Sequence, residues 1–121
     1  METTWERGLR GERVASEHLT GLGWRVVAHN VRYRVGEIDI VAHDGRQWVF
    51  VEVRTRYAPA RIRAEDTVRL KKQWRLGRAA RLWLRQHAGP QESARFDVIA
   101  VDGRRGIVIA HHRGAFEAPG L

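Results

Sequence analysis

Two neighbouring stretches of this chain alternate acidic and aliphatic residues, and this pattern constrains the fold more than any other feature. Residues 36–41 read Gly-Glu-Ile-Asp-Ile-Val, and residues 50–54 read Phe-Val-Glu-Val-Arg. Such a period of two is typical of β-strands that bury one face. Asp44-Gly45 lies between the stretches and is a strong signal for a two-residue hairpin turn. The sequence therefore predicts a β-hairpin that gathers three carboxylates.

The predicted hairpin places the acidic side chains on one face of the sheet. Counting outward from a two-residue turn puts Glu37 opposite Glu52 and Asp39 opposite Phe50. Opposed residues share a face, as do residues two apart on one strand, so Arg54 points the same way. Asp39 and Glu52 are then diagonal neighbours, roughly 7–8 Å apart at the backbone. Two carboxylates at this distance can hold one Mg²⁺ or Mn²⁺, with water in the remaining coordination positions.

A solvated sheet face is the simpler explanation of the acidic residues, and two features count against it. The aliphatic residues between them alternate regularly, so the register of the hairpin is well specified. An acid that faces another acid is repelled by roughly a few tenths of a kcal/mol, and a chain rich in arginine could pair opposite charges instead. From the residues alone, a metal site and a solvated face both remain open.

The positive charge of the chain is concentrated in one region. The chain has 22 Lys and Arg against 14 Asp and Glu, with a sequence pI of about 11.3. Residues 54–85 contain 11 of these basic residues and only two acids, Glu65 and Asp66. A pI above about 9 with a local basic stripe is typical of nucleic-acid binding. No membrane partner is expected, because lipid binding needs an anchor with a large apolar face.

The composition indicates a single globular domain. A chain of 121 residues lies near the modal domain size, and 43% of its residues are apolar. It contains no cysteine, which excludes disulfides and thiolate metal ligands. Its apolar runs are far shorter than the ~20 residues of a membrane span. The N-terminus lacks the apolar region of a secretory signal, so we expect a cytoplasmic protein.

Hydrophobic periodicity predicts seven elements in the order αβββαββ. The two helices are expected at residues 5–22 and at about residues 66–87, the second after a loop at residues 58–61. Runs of β-branched and aromatic residues predict five strands, at residues 24–32, 37–42, 47–55, 95–102 and 106–111.

Seven basic residues are candidates for contacts with nucleic acid: Arg32, Arg34, Arg56, Lys71, Lys72, Arg75 and Arg78. The first three lie in loops or at strand ends near the acidic hairpin, and the others lie in the second helix. Acidic residues are absent between Thr67 and Gln91, so this helix cannot neutralise its basic face by i,i+4 pairs. A helix face that is merely solvated is the alternative.

The aromatic and histidine residues have simpler expected roles. Three tryptophans fit a core, whereas Trp5 and Trp74 could stack on bases or form a dimer contact. The core tryptophans are Trp24, Trp48 and Trp83. His111 and His112 are expected to be a plain strand end, because neighbours on a strand point to opposite faces and chelate poorly. Asp97 is expected to orient an arginine or to cap the sheet edge.

The order of these motifs resembles the YraN-type family of small bacterial proteins, which are predicted endonucleases. That family is similar in fold to archaeal Holliday-junction resolvases and belongs with the PD-(D/E)xK nuclease superfamily. The resemblance covers residues 8–116. The matching pieces are Gly11-Glu12-x-x-Ala15 with Leu19, Asn30-x-Arg32, Gly36-Glu37-Ile38-Asp39-Ile40-Val41, Phe50-Val51-Glu52-Val53-Arg54-x-Arg56, Lys71 or Lys72, Arg95-Phe96-Asp97-Val98 and Ala115-Phe116.

The resemblance implies a fold and a set of site residues. The fold would be α/β, with a restriction-endonuclease-like αβββαβ core whose mixed central sheet is flanked by helices. Asp39 and Glu52 would be ligands of Mg²⁺ or Mn²⁺, with Glu12 as a further carboxylate and the Val53 carbonyl completing the shell. DNA, branched or single-stranded, would be the substrate more than RNA. A homodimer is also implied, since nuclease-fold units of this size often pair to cut two strands.

One residue departs from the superfamily pattern, because Arg54 stands where the motif has lysine. Arginine stays protonated and cannot serve as a general base. It can still stabilise charge that develops on a phosphate, which counts it among the candidate catalytic residues with Asp39, Glu52 and Glu12. The departure leaves three hypotheses: a metal-dependent endonuclease, a nucleic-acid-binding module without turnover, and a protein-interaction factor in DNA uptake or recombination.

Overall fold

The computed structural model describes residues 1–57, 68–89 and 92–118. Its elements, in chain order, are α1 (Thr4–Gly21), β1 (Arg25–Tyr33), β2 (Gly36–His43), β3 (Trp48–Arg56), α2 (Leu70–His87), β4 (Ala94–Asp102) and β5 (Ile107–Phe116). The predicted order αβββαββ is therefore confirmed. The predicted loop at residues 58–61 and the expected start of the second helix at residues 66–67 lie outside the described residues.

The five strands form one mixed sheet in the order β1-β2-β3-β4-β5. The pair β3–β4 is parallel, with α2 between the two strands in the chain, and the other three pairs are antiparallel. Parallel neighbours need such a crossover, whereas the antiparallel pairs are joined by short turns. Helix α1 packs on one face and α2 on the other. This arrangement is the predicted restriction-endonuclease-like core. Neither helix is long and apolar enough to cross a membrane.

Each helix buries an apolar stripe against its own face of the sheet. On the α2 face, Leu76 and Trp83 pack against Phe50 of β3 and its neighbours. On the α1 face, Ala15 and Leu19 pack against a second set of aliphatic strand residues. The tryptophans predicted to be core are all buried: Trp24, Trp48 and Trp83.

The predicted register of the acidic hairpin is wrong by two residues. His43 pairs with Trp48, so the turn has four residues instead of two. The cause is Asp44, whose Oδ1 accepts hydrogen bonds from the backbone N–H groups of residues 46 and 47 at 2.8 and 2.9 Å. Such an Asx turn competes with the tighter hairpin. Phe50 therefore faces Val41 and not Asp39.

The shift by two leaves the facing of the side chains unchanged, because strand side chains alternate with a period of two. It does change the pairing of the two central acids. The last pair of the ladder is Ile40 with Val51, so Asp39 and Glu52 each lie one residue beyond it on their strands. The two-residue turn had placed Glu37 opposite Glu52, and this predicted pairing is wrong.

A buried hydrogen-bond network ties β4 and β5 to α1. Asp97 is fully buried and accepts from Arg95 Nε at 3.0 Å and from the Gly114 N–H at 3.0 Å. His111 Nε2 lies 2.8 Å from Asp97, and His111 Nδ1 lies 3.1 Å from His18 Nε2 on α1. The expectation that Asp97 orients an arginine is confirmed. The prediction that His111 is a strand end is wrong, because β5 continues to Phe116. His111 lies in the middle of this strand and contacts Asp97.

Replacing Asp97 with alanine should destabilise the fold by about 3–5 kcal/mol, because Arg95 and His111 lose their buried acceptor. Hydrogen bonds from these two partners lower the pKa of Asp97, although burial alone would raise it. The contribution of Asp97 is therefore present above about pH 4 and fades as the pH falls through the lowered folded-state pKa. Urea unfolding at pH 7 and pH 3 measures both effects.

The matched control is Glu17→Ala, which removes an exposed carboxylate of α1. It should change the free energy of unfolding by no more than about 0.5 kcal/mol. An equally small change for Asp97→Ala would contradict the structural role assigned to this network.

Candidate functional site

Strands β2 and β3 separate next to two carboxylates, those of Asp39 and Glu52. Their backbone pairing runs from His43–Trp48 to Ile40–Val51. Beyond that point Asp39 Oδ2 accepts a hydrogen bond from the Val53 N–H at 2.8 Å, so a side chain stands in for the next backbone acceptor. Glu52, on the neighbouring strand, is only 5% exposed. The sheet thus opens at Asp39 and holds both acids at the opening.

A local irregularity lets Asp39 face both layers of the fold. Ile38 and Val41 both pack in the α2-face core although they are three residues apart, which a regular strand does not allow. The opposite strand breaks its period at Asn30, which has a φ of 48°. Asparagine tolerates this left-handed region better than most residues. As a result, Asp39 lines grooves on both sides of the sheet.

Two grooves meet at Asp39. The first, which we call the α1 groove, includes Trp5, Gly8, Leu9, Glu12, Arg32 and Asp39. The second, the α2 groove, includes Arg34, Glu37, Asp39, Glu52, Lys72 and Arg75. The α1 groove has apolar side chains at Trp5 and Leu9, acids at Glu12 and Asp39, and one base, Arg32, whereas the α2 groove combines three acids with three bases.

Lys72 approaches the carboxylates from α2. Its Nζ lies 2.6 Å from Glu52 Oε1, and Arg54 Nε lies 3.7 Å from the same oxygen. Sequence reasoning grouped Lys72 with Lys71 as a phosphate contact and did not connect it with Glu52. The sequence did indicate that Lys72 points toward the sheet, because Lys72 precedes the buried Leu76 by four residues and so lies on the same face of the helix. Lys71 is exposed on the outer side of the helix.

Glu12 reaches the site because α1 lies very close to β3. Gly11 makes this approach possible, since a Cβ at that position would overlap the Thr55 side chain. The Asn30 side-chain amide donates to Glu12 Oε1 at 2.8 Å. Burial raises the pKa of Glu12, and the negative charge of Glu52 adds to the effect. Within the described ranges, no three His, Asp or Glu side chains are gathered as a complete set of metal ligands.

The β1–β2 turn fixes α2 beside the site in a similar way. A Cβ at Gly36 would lie 2.5 Å from the backbone carbonyl oxygen of Arg75, so only glycine permits this contact. The contact aligns the α2 side chains Lys72 and Arg75 with the opening between β2 and β3.

The predicted nucleic-acid contacts divide into two groups. Four of them line the grooves: Arg32, Arg34, Lys72 and Arg75. Arg32 also pairs with Glu37, at 3.8 Å, on the exposed surface. Lys71 and Arg78 are exposed on α2, and Arg56 lies at the far end of β3, four residues beyond Glu52.

Asp39 has an unusual proton affinity. Burial, and then repulsion from Glu52, raise its pKa to about 7, against the opposing hydrogen bond from Val53. The folded state therefore holds this proton more tightly than the unfolded chain does. Stability due to protonated Asp39 is complete below about pH 4 and is lost as the pH rises through 7.

Asp39→Asn should therefore stabilise the metal-free protein, and the gain should grow from pH 4 to pH 7 and then level off. Asparagine keeps an acceptor for the Val53 N–H but carries no charge. At pH 8 we expect a gain on the order of 1 kcal/mol or more. Urea unfolding in EDTA at pH 5, 6, 7 and 8 measures it.

Glu37→Gln serves as the control, because Glu37 is an exposed carboxylate of the same α2 groove. It should give no comparable gain. A gain for Asp39→Asn that is the same at every pH would contradict the raised pKa.

Comparison with known proteins identifies the family. Residues 11–101 match the family described as "Uncharacterised protein family UPF0102". The chain is 47% identical over 116 residues to a UPF0102 protein of Alkalilimnicola ehrlichii, covering 95% of this chain and 90% of the relative. It is 42% identical over 115 residues to one of Mycolicibacterium vanbaalenii, covering 93% and 95%. The chain therefore belongs to the UPF0102 family, which confirms the predicted YraN-type membership.

Proposed function

We propose that this protein is a divalent-metal-dependent phosphodiesterase that cleaves DNA. The observation that carries the proposal is the pair Asp39 and Glu52 at the opening between β2 and β3, with basic side chains of the α2 groove beside them. An acidic pair next to bound phosphates would be repulsive unless a cation lies between them. The surrounding bases supply sites for the flanking phosphates.

The donor set suits Mg²⁺ or Mn²⁺. Both ions prefer carboxylate oxygens, and Mg²⁺ is usually held by one or two carboxylates together with water and substrate phosphates. Asp39 and Glu52 would be the two protein ligands, with Glu12 as a further carboxylate from α1. A bound ion of this kind would polarise the scissile phosphate and acidify an attacking water. A complete protein cage is not needed for this role.

Lys72 supplies the amine that the superfamily motif would place at position 54. Arg54 acts as a cation beside Glu52 and cannot serve as a general base. The Lys72 ammonium touches the same carboxylate from α2 and can donate to a phosphate oxygen or an attacking water. Together the two bases orient Glu52 through Oε1.

Wild-type protein should cut labelled single-stranded, duplex or four-way-junction DNA with Mn²⁺ or Mg²⁺ and leave it intact in EDTA. Asp39→Asn and Glu52→Gln should each lower the rate by more than about 100-fold, because each removes a ligand charge. Undiminished cutting by a variant that carries both Asp39→Asn and Glu52→Gln would reveal a contaminating nuclease. Intact DNA under all conditions would contradict the proposal for these substrates.

Lys72→Ala and Lys71→Ala form a matched pair, since the two lysines are adjacent on α2 but only Lys72 contacts Glu52, while Lys71 is exposed. Lys72→Ala should lower kcat by about 100-fold with little change in KM. Lys71→Ala should change KM a few-fold at low salt and leave kcat alone. Equal kinetic effects of the two substitutions would contradict the role given to Lys72.

A second candidate function is nucleic-acid binding without turnover, and Arg54 is the residue that favours it. In this case binding should persist in EDTA and fall steeply with salt. The double substitution Arg75→Ala with Arg78→Ala should reduce the slope of log K against log salt by about 2, or roughly 0.9 for each lost duplex phosphate contact. Gel shifts between low and moderate salt measure the slope. An unchanged slope would remove the exposed face of α2 from the interface.

A further inference from the structure

We propose that the α1 groove is a subsite for one unpaired nucleobase of the substrate strand, which stacks on Trp5. The inference rests on the proposed function, and it narrows the substrate class to nucleic acid that is single-stranded or locally unpaired beside the cleaved phosphate.

Trp5 is an exposed aromatic side chain on a capped helical turn. It lies in the first turn of α1 and is 68% exposed. A capping box holds this turn, because the Thr3 hydroxyl accepts from the Glu6 N–H and the Glu6 carboxylate accepts from the Thr3 N–H, both at 3.1 Å. The capping box orders the backbone that carries the indole, so the position of the stacking group is set by the helix. Base–aromatic stacking contributes about 1–3 kcal/mol per base.

Gly8 leaves the groove open beside this indole. Glycine inside a helix costs about 0.5–1 kcal/mol relative to alanine. A Cβ at Gly8 would meet no atom within 4 Å among the described residues, so packing there does not require glycine. Gly11, one turn later, is different because Thr55 fills its space. A side chain at position 8 would project into the groove, between Trp5 and Leu9 on one side and the acids on the other.

The groove leads directly to the proposed catalytic carboxylates. Its lining runs from Trp5 to Glu12 and Asp39, a distance of about two helical turns, or roughly 10 Å. A nucleotide whose phosphate lies at Asp39 and Glu52 therefore has a neighbouring base within reach of Trp5. The groove volume of about 400 Å³ is within the usual range for small-molecule sites, about 300–1,000 Å³.

The two grooves differ in their basic side chains, because three line the α2 groove and one, Arg32, which pairs with Glu37, lines the α1 groove. The α2 groove carries Arg34, Lys72 and Arg75, which suit the phosphate backbone. At the inner end of the α1 groove, the Glu12 carboxylate can accept from a base N–H. The faces of a base are covered in a duplex, so only an unstacked base can use the Trp5 platform.

The test is binding in EDTA, measured by anisotropy with three labelled ligands of equal length: a single-stranded oligonucleotide, the same strand with abasic residues throughout, and a duplex. Trp5→Ala should weaken binding of the base-bearing single strand about tenfold, or ~1.4 kcal/mol of lost stacking. Binding of the abasic strand and the duplex should change less than about twofold. Trp5→Phe should restore most of the affinity.

Two further variants sharpen this test. Gly8→Leu fills the groove and should reproduce the selective loss, while urea unfolding shows stability equal to or above that of the wild type. Ile109→Ala removes an exposed apolar residue of β5 and should leave all three affinities unchanged.

Selective loss with Trp5→Ala and Gly8→Leu would support the subsite. Equal loss on all three ligands, or none, would overturn it and leave the proposed function intact. A changed oligomeric state on Trp5→Ala without selective loss would assign the groove to a second copy of this chain, which also overturns it. Failure of the wild type to bind any of the ligands in EDTA would overturn this inference, because stacking on Trp5 needs no metal, and the proposed function would then be judged by the metal-dependent cleavage assay alone.

Discussion

The hydrogen bond from the Val53 N–H to Asp39 Oδ2 is the interaction on which the candidate site depends. It ends the pairing of β2 with β3 by giving a backbone donor a side-chain acceptor, so the strands separate without leaving that donor unpaired. The separation opens the sheet at the point where two grooves meet. It also holds the carboxylate of Asp39 beside Glu52, where burial and repulsion make the negative charge of Asp39 unfavourable.

The helices complete the site through two close contacts with the sheet. Gly11 lets α1 touch β3 and brings Glu12 to one side of Asp39, and Gly36 lets the β1–β2 turn touch α2 and brings Lys72 to the other. The carboxylates are thus approached by a further acid from one layer and by cations from the other. Under the proposed function, phosphates would lie on the α2 side of the carboxylates and bases on the α1 side.

Most of the fold and the central acid pair can be predicted from the sequence, because both depend on the regular spacing of apolar and polar residues along the helices and strands. The alternation around Asp39 and Glu52 gave the strands and their shared face. The register did not follow, since the Asp44 side chain lengthens the turn by two residues through local hydrogen bonds. The double facing of Asp39 depends on the left-handed conformation of Asn30, which no periodic pattern encodes. The inward direction of Lys72 could have been predicted from its spacing of four residues from Leu76. The contact of His111 with Asp97 could not, because it joins two strands that are neighbours only in the folded sheet.

The central claim is that Asp39 and Glu52 bind one divalent cation, and calorimetric titration of Mn²⁺ at pH 8 tests it most directly. The account predicts one site in the wild-type protein, which Asp39→Asn and Glu52→Gln each abolish and which Glu37→Gln retains. Binding that is equal in all four proteins would place the cation elsewhere and contradict the account. Absence of binding in the wild type, with the fold intact, would contradict it as well.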